Sequence, residues 1–483
     1  MKILQYAVRL PILFKYFGQL CIALSALSLV PFAVSLFFKD YLVSTRYGIV
    51  IGSVMAVGLA SSRLRTSAKI QNNEAMVITA LIFLFSPLVM TWPVMGSGMG
   101  FTDALFETVS AVTTTGLSTA ASLADKSQTF LFSRAWMQWV GGLGIVVLSM
   151  AILIQPGLTA KRLDIADSFD EDIIGGTRAI ARSTLIIYSL LTLAGILLLI
   201  LLGTDWFSSI LYVLSAVSTG GFSPHDVSLQ GLGSGGARAA VIAVSMAGAV
   251  PLILYHRAMH QGWRDALSDR QIQVFFIMAI MITGLLSGFL WYQDGLAPLT
   301  ALAHGTLNGL SALSTAGFSS LPVNDMENGA KLILIVSMAM GGCAGSTAGG
   351  IKIIRLLIVF RLIYLLIQRA AAPPQAVLAA TLNGKKLEAD EILNAMSLVV
   401  LFPCIIILSW LPFMLGGYPP LDSLFEVVSA LGTAGMSAGI TSSELPVFLK
   451  GILCADMLLG RLEIIAWLVI CYPGTWIGMR KEK

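Results

Sequence analysis

Apolar residues in this chain run in long unbroken stretches rather than alternating or marking one face of a helix. A membrane-spanning helix needs roughly 20 mostly apolar residues. Such stretches lie near 17–38, 47–60, 76–95, 136–155, 184–203, 237–256, 271–292, 331–367, 391–415 and 448–476. The pattern therefore predicts an all-α integral membrane protein with about ten transmembrane helices. The first stretch follows Arg9 and Lys15 and extends to Phe38. A signal-peptide core spans only about 7–15 residues, so this stretch is expected to stay as an anchor. The stretch 47–60 is short for a span, and 331–367 is too long for one.

Composition agrees. Hydrophobic residues make up 56% and charged residues 12%, with mean hydropathy +0.84. Soluble domains carry about 25% charged residues, so a soluble enzyme is excluded. The net charge of +4 brings no basic stripe with interleaved aromatics, and no nucleic-acid partner is expected. Basic residues orient the stack, because cytoplasmic loops carry an excess of Lys and Arg. With both termini inside, inner segments hold clusters such as Arg63, Arg65 and Lys69, or Lys161, Arg162, Arg178 and Arg182. Only Lys39, Arg46, Lys126, Arg134, Arg238, Lys331 and Lys450 fall outside.

Between the spans one pattern occurs four times, roughly a hundred residues apart. The copies are Ser110-Ala111-Val112-Thr113-Thr114-Thr115-Gly116-Leu117-Ser118, Ser215-Ala216-Val217-Ser218-Thr219-Gly220-Gly221-Phe222-Ser223, Ser311-Ala312-Leu313-Ser314-Thr315-Ala316-Gly317-Phe318-Ser319 and Ser429-Ala430-Leu431-Gly432-Thr433-Ala434-Gly435-Met436-Ser437. Each copy lies between two apolar stretches and follows a short amphipathic segment such as 102–112 or 421–431. The expected organisation is a two-helix N-terminal segment (1–70) and four parallel helix–pore-loop–helix repeats around one central cation pore. The repeats are 71–160, 161–260, 261–370 and 371–483.

Irregular backbone cannot face lipid, because its carbonyls would go unsatisfied; it is tolerated where it lines a cavity. Four such loops around an axis offer rings of carbonyl oxygens that can replace a cation's hydration shell. Glycine supplies the φ values such a loop requires. The candidate cation-binding residues are Thr114, Thr115, Gly116, Thr219, Gly220, Gly221, Thr315, Ala316, Gly317, Thr433, Ala434 and Gly435. The bland alternative is that small residues merely let helices pack closely. Asp103 and Asp422 open the amphipathic segments of repeats one and four. They either complement the helix dipole or attract cations at the outer mouth. Of two other function classes, an intramembrane hydrolase using Ser346 lacks a histidine placed to activate it. A secondary transporter of another cation or small solute would need a polar mid-membrane pocket.

With these four loops the chain resembles the membrane subunit of the Trk/Ktr/HKT superfamily of potassium uptake systems, over nearly its whole length. Two further features carry the likeness. One is the glycine-rich interruption Gly341-Gly342-Cys343-Ala344-Gly345-Ser346-Thr347-Ala348-Gly349-Gly350-Ile351-Lys352; the other is the pair Arg461 and Glu463 in the last span. The resemblance implies uptake of potassium ion across the bacterial cytoplasmic (inner) membrane and a homodimer. It also implies a cytosolic nucleotide-binding regulatory ring as partner, with no cofactor tightly bound to this chain. It matches Gly116, Gly221, Gly317 and Gly435 to the family's one glycine per selectivity filter. The inner loop 161–177, with Asp164, Asp167, Asp170, Glu171 and Asp172, departs from the Pro-containing loop of that family.

A gate beneath the filter is expected from Gly341, Gly342, Gly345, Ser346, Thr347, Gly349, Gly350 and Arg461. Five glycines within ten residues hold a helix poorly, at ~1 kcal/mol each relative to Ala. A buried Arg in a span costs ~2.5–3.5 kcal/mol on insertion scales, which marks Arg461 as a functional candidate. The plain reading of Arg461 is a brace, paired with Glu463 or capping loop carbonyls. The partner is expected to meet the inner loops around 161–183, 256–270 and 368–390 and the C-terminal Arg480, Lys481 and Lys483.

Overall fold

The computed structural model describes residues 7–64, 70–153, 173–373, 379–382 and 385–478. Most of the acidic stretch 161–177 and the C-terminal Arg480, Lys481 and Lys483 lie outside the described residues.

Where described, each of the ten apolar stretches is largely helical. The long ones are α1 (Leu10–Phe37), α2 (Tyr41–Ser62) and α3 (Asn72–Val94). After a short α4 (Phe101–Val112) come α5 (Gln128–Leu153) and α6 (Ile173–Leu201). A second short helix, α7 (Trp206–Val217), precedes α8 (Gly235–Gly248), α9 (Leu252–Gln261), α10 (Trp263–Leu267) and α11 (Arg270–Tyr292). The third short helix is α12 (Pro298–Leu313), followed by α13 (Asn328–Met340) and α14 (Ile353–Ala371). A two-residue hairpin, Thr381–Leu382 against Lys385–Lys386, leads into α15 (Ala389–Leu415). The fourth short helix α16 (Pro420–Leu431) is followed by α17 (Val447–Arg461) and α18 (Ile465–Cys471). Among the described residues, six helices are long and apolar enough to cross a membrane, and a seventh crossing is a bent pair.

Three stretches differ from the simplest reading of their hydropathy. The second span is longer than 47–60: Asp40 precedes it and Tyr41, Ser44, Thr45 and Arg46 are already helical. These are residues suited to a membrane interface, and the Arg46 Nη1 donates to the Trp92 carbonyl of α3 (3.0 Å). The stretch 237–256 is not one rod: α8 and α9 meet at 87°. Pro251 supplies no N–H, and the carbonyls freed at the elbow find other donors. Tyr255 Oη donates to Ala247 O (2.8 Å), Thr347 N to Gly248 O (3.2 Å) and Cys343 N to Ala249 O (3.1 Å). The last span also breaks, between Arg461 and Ile465, with Glu463 and Ile464 at φ 57° and 61°. There Trp467 Nε1 caps the Leu458 carbonyl (2.8 Å).

α1 and α2 pack as an antiparallel pair through small residues. A Cβ on Gly18 would lie 2.7 Å from the Ser61 Cβ, so the crossing needs a residue without one. The pair then joins α3 and α5 in an apolar cluster that includes Cys21, Tyr47, Val54, Phe83 and Phe132. The four short helices α4, α7, α12 and α16 bury most of their C-terminal halves.

Candidate functional site

Each short helix ends in the same way. Thr115, Gly220, Ala316 and Ala434 donate their N–H groups to the carbonyls of Ser110, Ser215, Ser311 and Ser429 (2.8–2.9 Å). Thr114, Thr219, Thr315 and Thr433 donate to Ala111, Ala216, Ala312 and Ala430 (3.0–3.1 Å). This is the Schellman pattern of helix termination, which normally puts glycine at the left-handed position. Here that residue is Thr114, Thr219, Thr315 or Thr433, at φ 52°, 51°, 52° and 48°. A β-branched residue with positive φ is a strained outlier, costing ~1–3 kcal/mol. The same strain occurs at the same place four times.

The glycine two residues on is also left-handed: Gly116 at 98°, Gly221 at 80°, Gly317 at 73° and Gly435 at 81°. A Cβ on Gly116 would overlap the Gly220 carbonyl oxygen, and one on Gly221 that of Ala316. A Cβ on Gly317 would overlap Ala434 O, and one on Gly435 would overlap Thr115 O. Each loop thus abuts the next, and the fourth returns to the first, so the four loops form a closed ring. In every loop the glycine is half-buried between fully buried neighbours, so the accessible backbone of the ring lies at the glycines.

Behind the ring, one register position of each short helix clamps the loop that follows. Glu426 Oε1 accepts from Ser437 Oγ (2.5 Å), Ala438 N (3.0 Å) and Ile440 N (3.2 Å), and its Oε2 accepts from Thr441 Oγ1 (2.7 Å). Glu107 accepts from Ser118 Oγ (2.6 Å) and Thr119 N (2.8 Å). Asn308 Oδ1 accepts from Ser320 N (2.8 Å), and Tyr212 Oη donates to Ser228 O (2.7 Å). Arg134, 2% exposed, bonds Glu107 Oε2 (3.1 Å) and lies 3.9 Å over the Phe222 ring, joining the first loop to the second. The sequence reading singled out Asp103 and Asp422 but not Glu107 and Glu426, which follow them four residues on in the matching segments Asp103–Glu107 and Asp422–Glu426. Their recurrence three residues before the first serine of the repeated pattern was the available signal.

Asp103 and Asp422 sit in the first turns of α4 and α16, as dipole complementation requires. Each is also ion-paired, Asp103 with Lys450 Nζ (2.6 Å) and Asp422 with Lys331 Nζ (2.8 Å). Neither carboxylate is a free charge at the mouth.

Beside the ring lies the interruption between α13 and α14. Gly341, Gly345 and Gly350 take φ 70°, 77° and 74°. The segment seats against the α8–α9 elbow through the bonds to Gly248 and Ala249, and Leu252 N donates to Gly345 O (3.2 Å). Thr347 Oγ1 donates to Val217 O (3.0 Å) and Gly248 O (2.9 Å). Gly349 N donates to Thr315 Oγ1 (2.7 Å), and a Cβ on Gly349 would overlap Thr433 Oγ1. Thr219 Oγ1 lies 3.4 Å from Thr347 Oγ1. The segment therefore touches three of the four left-handed threonines. Gly342 O accepts from Ile353 N (3.1 Å), while Ser346 Oγ donates to Cys343 O (2.6 Å) and accepts from Ala348 N (3.3 Å).

Arg461, 3% exposed, donates from Nη1 to Thr347 O (2.8 Å) and from Nη2 to Gly141 O of α5 (3.2 Å). It caps one carbonyl of the interruption and one of α5. The expected pairing with Glu463 is not formed: Glu463 bonds Arg355 of α14 instead. Residues two apart on a helix do not face each other, and the break at 462–464 turns Glu463 towards α14. Buried Lys352 bonds the Ala348 carbonyl and adds a second cation to this region.

The fold and this site define a multi-pass, all-α membrane protein with four Thr-x-Gly loops arranged in a ring. The chain belongs to the TrkH family of cation transport proteins, whose model matches residues 46–473. It is similar to an uncharacterised cation transporter of Methanocaldococcus jannaschii, 28% identical over 450 residues, covering 92% of this chain and 91% of that protein. It is similar also to the Trk system potassium uptake protein TrkH of Escherichia coli strain K12, 29% identical over 483 residues, covering 95% and 98%. The crystal structure of the potassium transporter TrkH from Vibrio parahaemolyticus superposes with a TM-score of 0.87, over 97% of this chain and 100% of that one. The two sequences are 24% identical, so that likeness speaks to fold.

Proposed function

We propose that this protein carries potassium ion into the cell across the cytoplasmic membrane, through a filter made of the four Thr-x-Gly loops. One observation carries the reading: the closed contact of each loop glycine with the carbonyl before the next loop's glycine. Four loops so joined set the carbonyls of Thr115, Gly220, Ala316 and Ala434 and the accessible glycine backbone into one ring. A ring of backbone carbonyls can substitute for water around a dehydrated cation. The short helices direct the partial negative charge of their C-terminal ends at the same place. Curated relatives named as Trk system potassium uptake proteins support potassium as the cargo.

The interruption 341–352 and Arg461 act as the gate. The segment lies against the filter threonines, and the guanidinium places a positive charge there that opposes cation passage. Regulation comes from a cytosolic nucleotide-binding ring docked on the inner loops, and the protein works as a homodimer in the membrane. The alternative is coupled transport of another cation or solute, driven by sodium or protons.

Reversal potentials of the purified protein in liposomes, under separate potassium, sodium and proton gradients, test the reading. Selective potassium conduction supports it; a potential set by sodium or proton gradients turns it to the coupled alternative. Gly116→Ser or Gly435→Ser puts a side chain at a left-handed position and onto a neighbouring carbonyl. Strain of ~1–3 kcal/mol at the ring corresponds to about tenfold loss of potassium uptake or a matching rise in sodium leak. Wild-type uptake and selectivity in both variants would remove the filter assignment.

A further inference from the structure

The ring is not chemically fourfold. Gln138 of α5 is fully buried, and its side-chain amide straddles the second loop. Its Nε2 donates to the Gly220 carbonyl (2.5 Å), and its Oε1 accepts from the Phe222 N–H (3.2 Å). The opposite amide orientation would set oxygen against the Gly220 oxygen and N–H against the Phe222 N–H, so the network determines the flip. Among the described residues, no side-chain donor reaches the carbonyl of Thr115, Ala316 or Ala434. The contact also explains a residue choice. The other three loops carry Thr115, Ala316 and Ala434 where this one has Gly220. A Cβ at Gly220 would overlap the Gln138 amide carbon, although Gly220 itself is not left-handed. Glycine stands there to admit the glutamine.

We infer that Gln138 is a positioning residue for ion selectivity, which weakens and fixes one of the four filter carbonyls through its bond to Gly220. The inference rests on the filter reading above. A carbonyl that already accepts an amide hydrogen offers less of its dipole to a cation, and the N–H dipole beside it repels positive charge. Selectivity depends on the number and field strength of the coordinating carbonyls. A weaker field at one quarter of the ring disfavours the smaller, more strongly hydrated sodium ion more than potassium. The bond to Phe222 keeps the same peptide from rotating away.

The test is the sodium-to-potassium permeability ratio, from bi-ionic reversal potentials of the purified full-length protein in liposomes. Gln138→Leu removes the donor at similar volume, and Gln138→Met does so with a more adaptable side chain. Both are expected to raise the ratio roughly two- to tenfold, the range that one net hydrogen bond represents. Gly220→Ala alone is expected to lose uptake, because its Cβ meets the glutamine. Combining it with Gln138→Ala makes the second loop like the third and fourth. Conduction should return with the raised ratio of Gln138→Leu. A residue that only braces the helix would lower the flux of all cations in proportion and leave the ratio unchanged. That result in Gln138→Met and in the double variant overturns the inference. Gly116→Ser is the control. A Gly116→Ser variant with altered uptake or ratio beside Gln138 variants with an unmoved ratio rejects Gln138 alone, and wild-type uptake and ratio in Gly116→Ser as well rejects the ring with it.

Discussion

Four threonines hold a backbone conformation that their side chains resist. Thr114, Thr219, Thr315 and Thr433 are fully buried, so surrounding contacts and not solvent keep them there. The clamps behind them supply part of that hold. Glu426 satisfies several backbone N–H groups of the loop 438–441 at once. Removing such an acceptor leaves buried donors unpaired, at about 1–3 kcal/mol each. Glu426→Ala should therefore unfold at least 5 °C lower in a detergent melt, taking about 2–4 °C per kcal/mol for larger domains. Glu426→Gln, which keeps one acceptor oxygen, should fall between. An unchanged melt in Glu426→Ala would show that the loop does not depend on the clamp. Arg461 makes the sharper functional case. With its bonds to Thr347 and Gly141 lost, Arg461→Ala should pass more potassium in liposomes that lack the partner, with selectivity kept. A folded variant with flux at or below wild type leaves Arg461 as a brace.

Helix breaks are placed where they serve each other. The α8–α9 elbow leaves carbonyls at Gly248 and Ala249, and the glycine-rich segment between α13 and α14 supplies the donors. Neither irregular stretch could sit in a membrane alone, because unpaired backbone groups there cost several kcal/mol each. Thr347 is the joint: its hydroxyl reaches Val217 O and Gly248 O, while its own carbonyl holds Arg461. Thr347→Val keeps the shape and removes the hydroxyl. Its expected effect is a loosened segment and higher potassium flux without the partner, in the direction of Arg461→Ala. The two variants share a network, so their combined effect should be less than the sum. Full additivity would mean that they act on separate barriers.

At the scale of the molecule, pseudo-symmetry governs the site and is deliberately incomplete. Glycines of three second helices, Gly141, Gly248 and Gly460, allow close approach to the last carbonyls of the short helices, at Val112, Val217 and Leu431. The third repeat instead breaks at this level to form the interruption. Ion pairs Lys331–Asp422 and Lys450–Asp103 tie the third repeat to the fourth and the fourth to the first. The distribution of Lys and Arg predicts one orientation in the membrane. In a background with the five cysteines replaced, a Cys at Asp325 should react with an impermeant thiol reagent from outside. One at Lys385 should not. The opposite pattern would invert the topology and move the docking face for the proposed partner.

The amino-acid sequence by itself determined that the chain lives in a membrane, because long apolar runs leave no other solvent for these helices. It determined that a Thr-x-Gly loop recurs four times and that 341–352 interrupts a helix, since local composition alone carries both. It could not show that the loops close into a ring, because Gly116 meets Gly220 and Gly435 meets Thr115 only when distant segments assemble. For the same reason the positive φ of the threonines was hidden: local sterics argue against it, and only packing from every side imposes it. The elbow at 249–251 was read as a continuous span, since its carbonyls look orphaned until the segment from the third repeat arrives. Arg461 was recognised as costly from its position, yet its partners lie more than a hundred residues away at Thr347 and Gly141. Gln138 carried no signal at all, because one polar residue in an apolar helix acquires meaning only from the carbonyl that the fold sets against it.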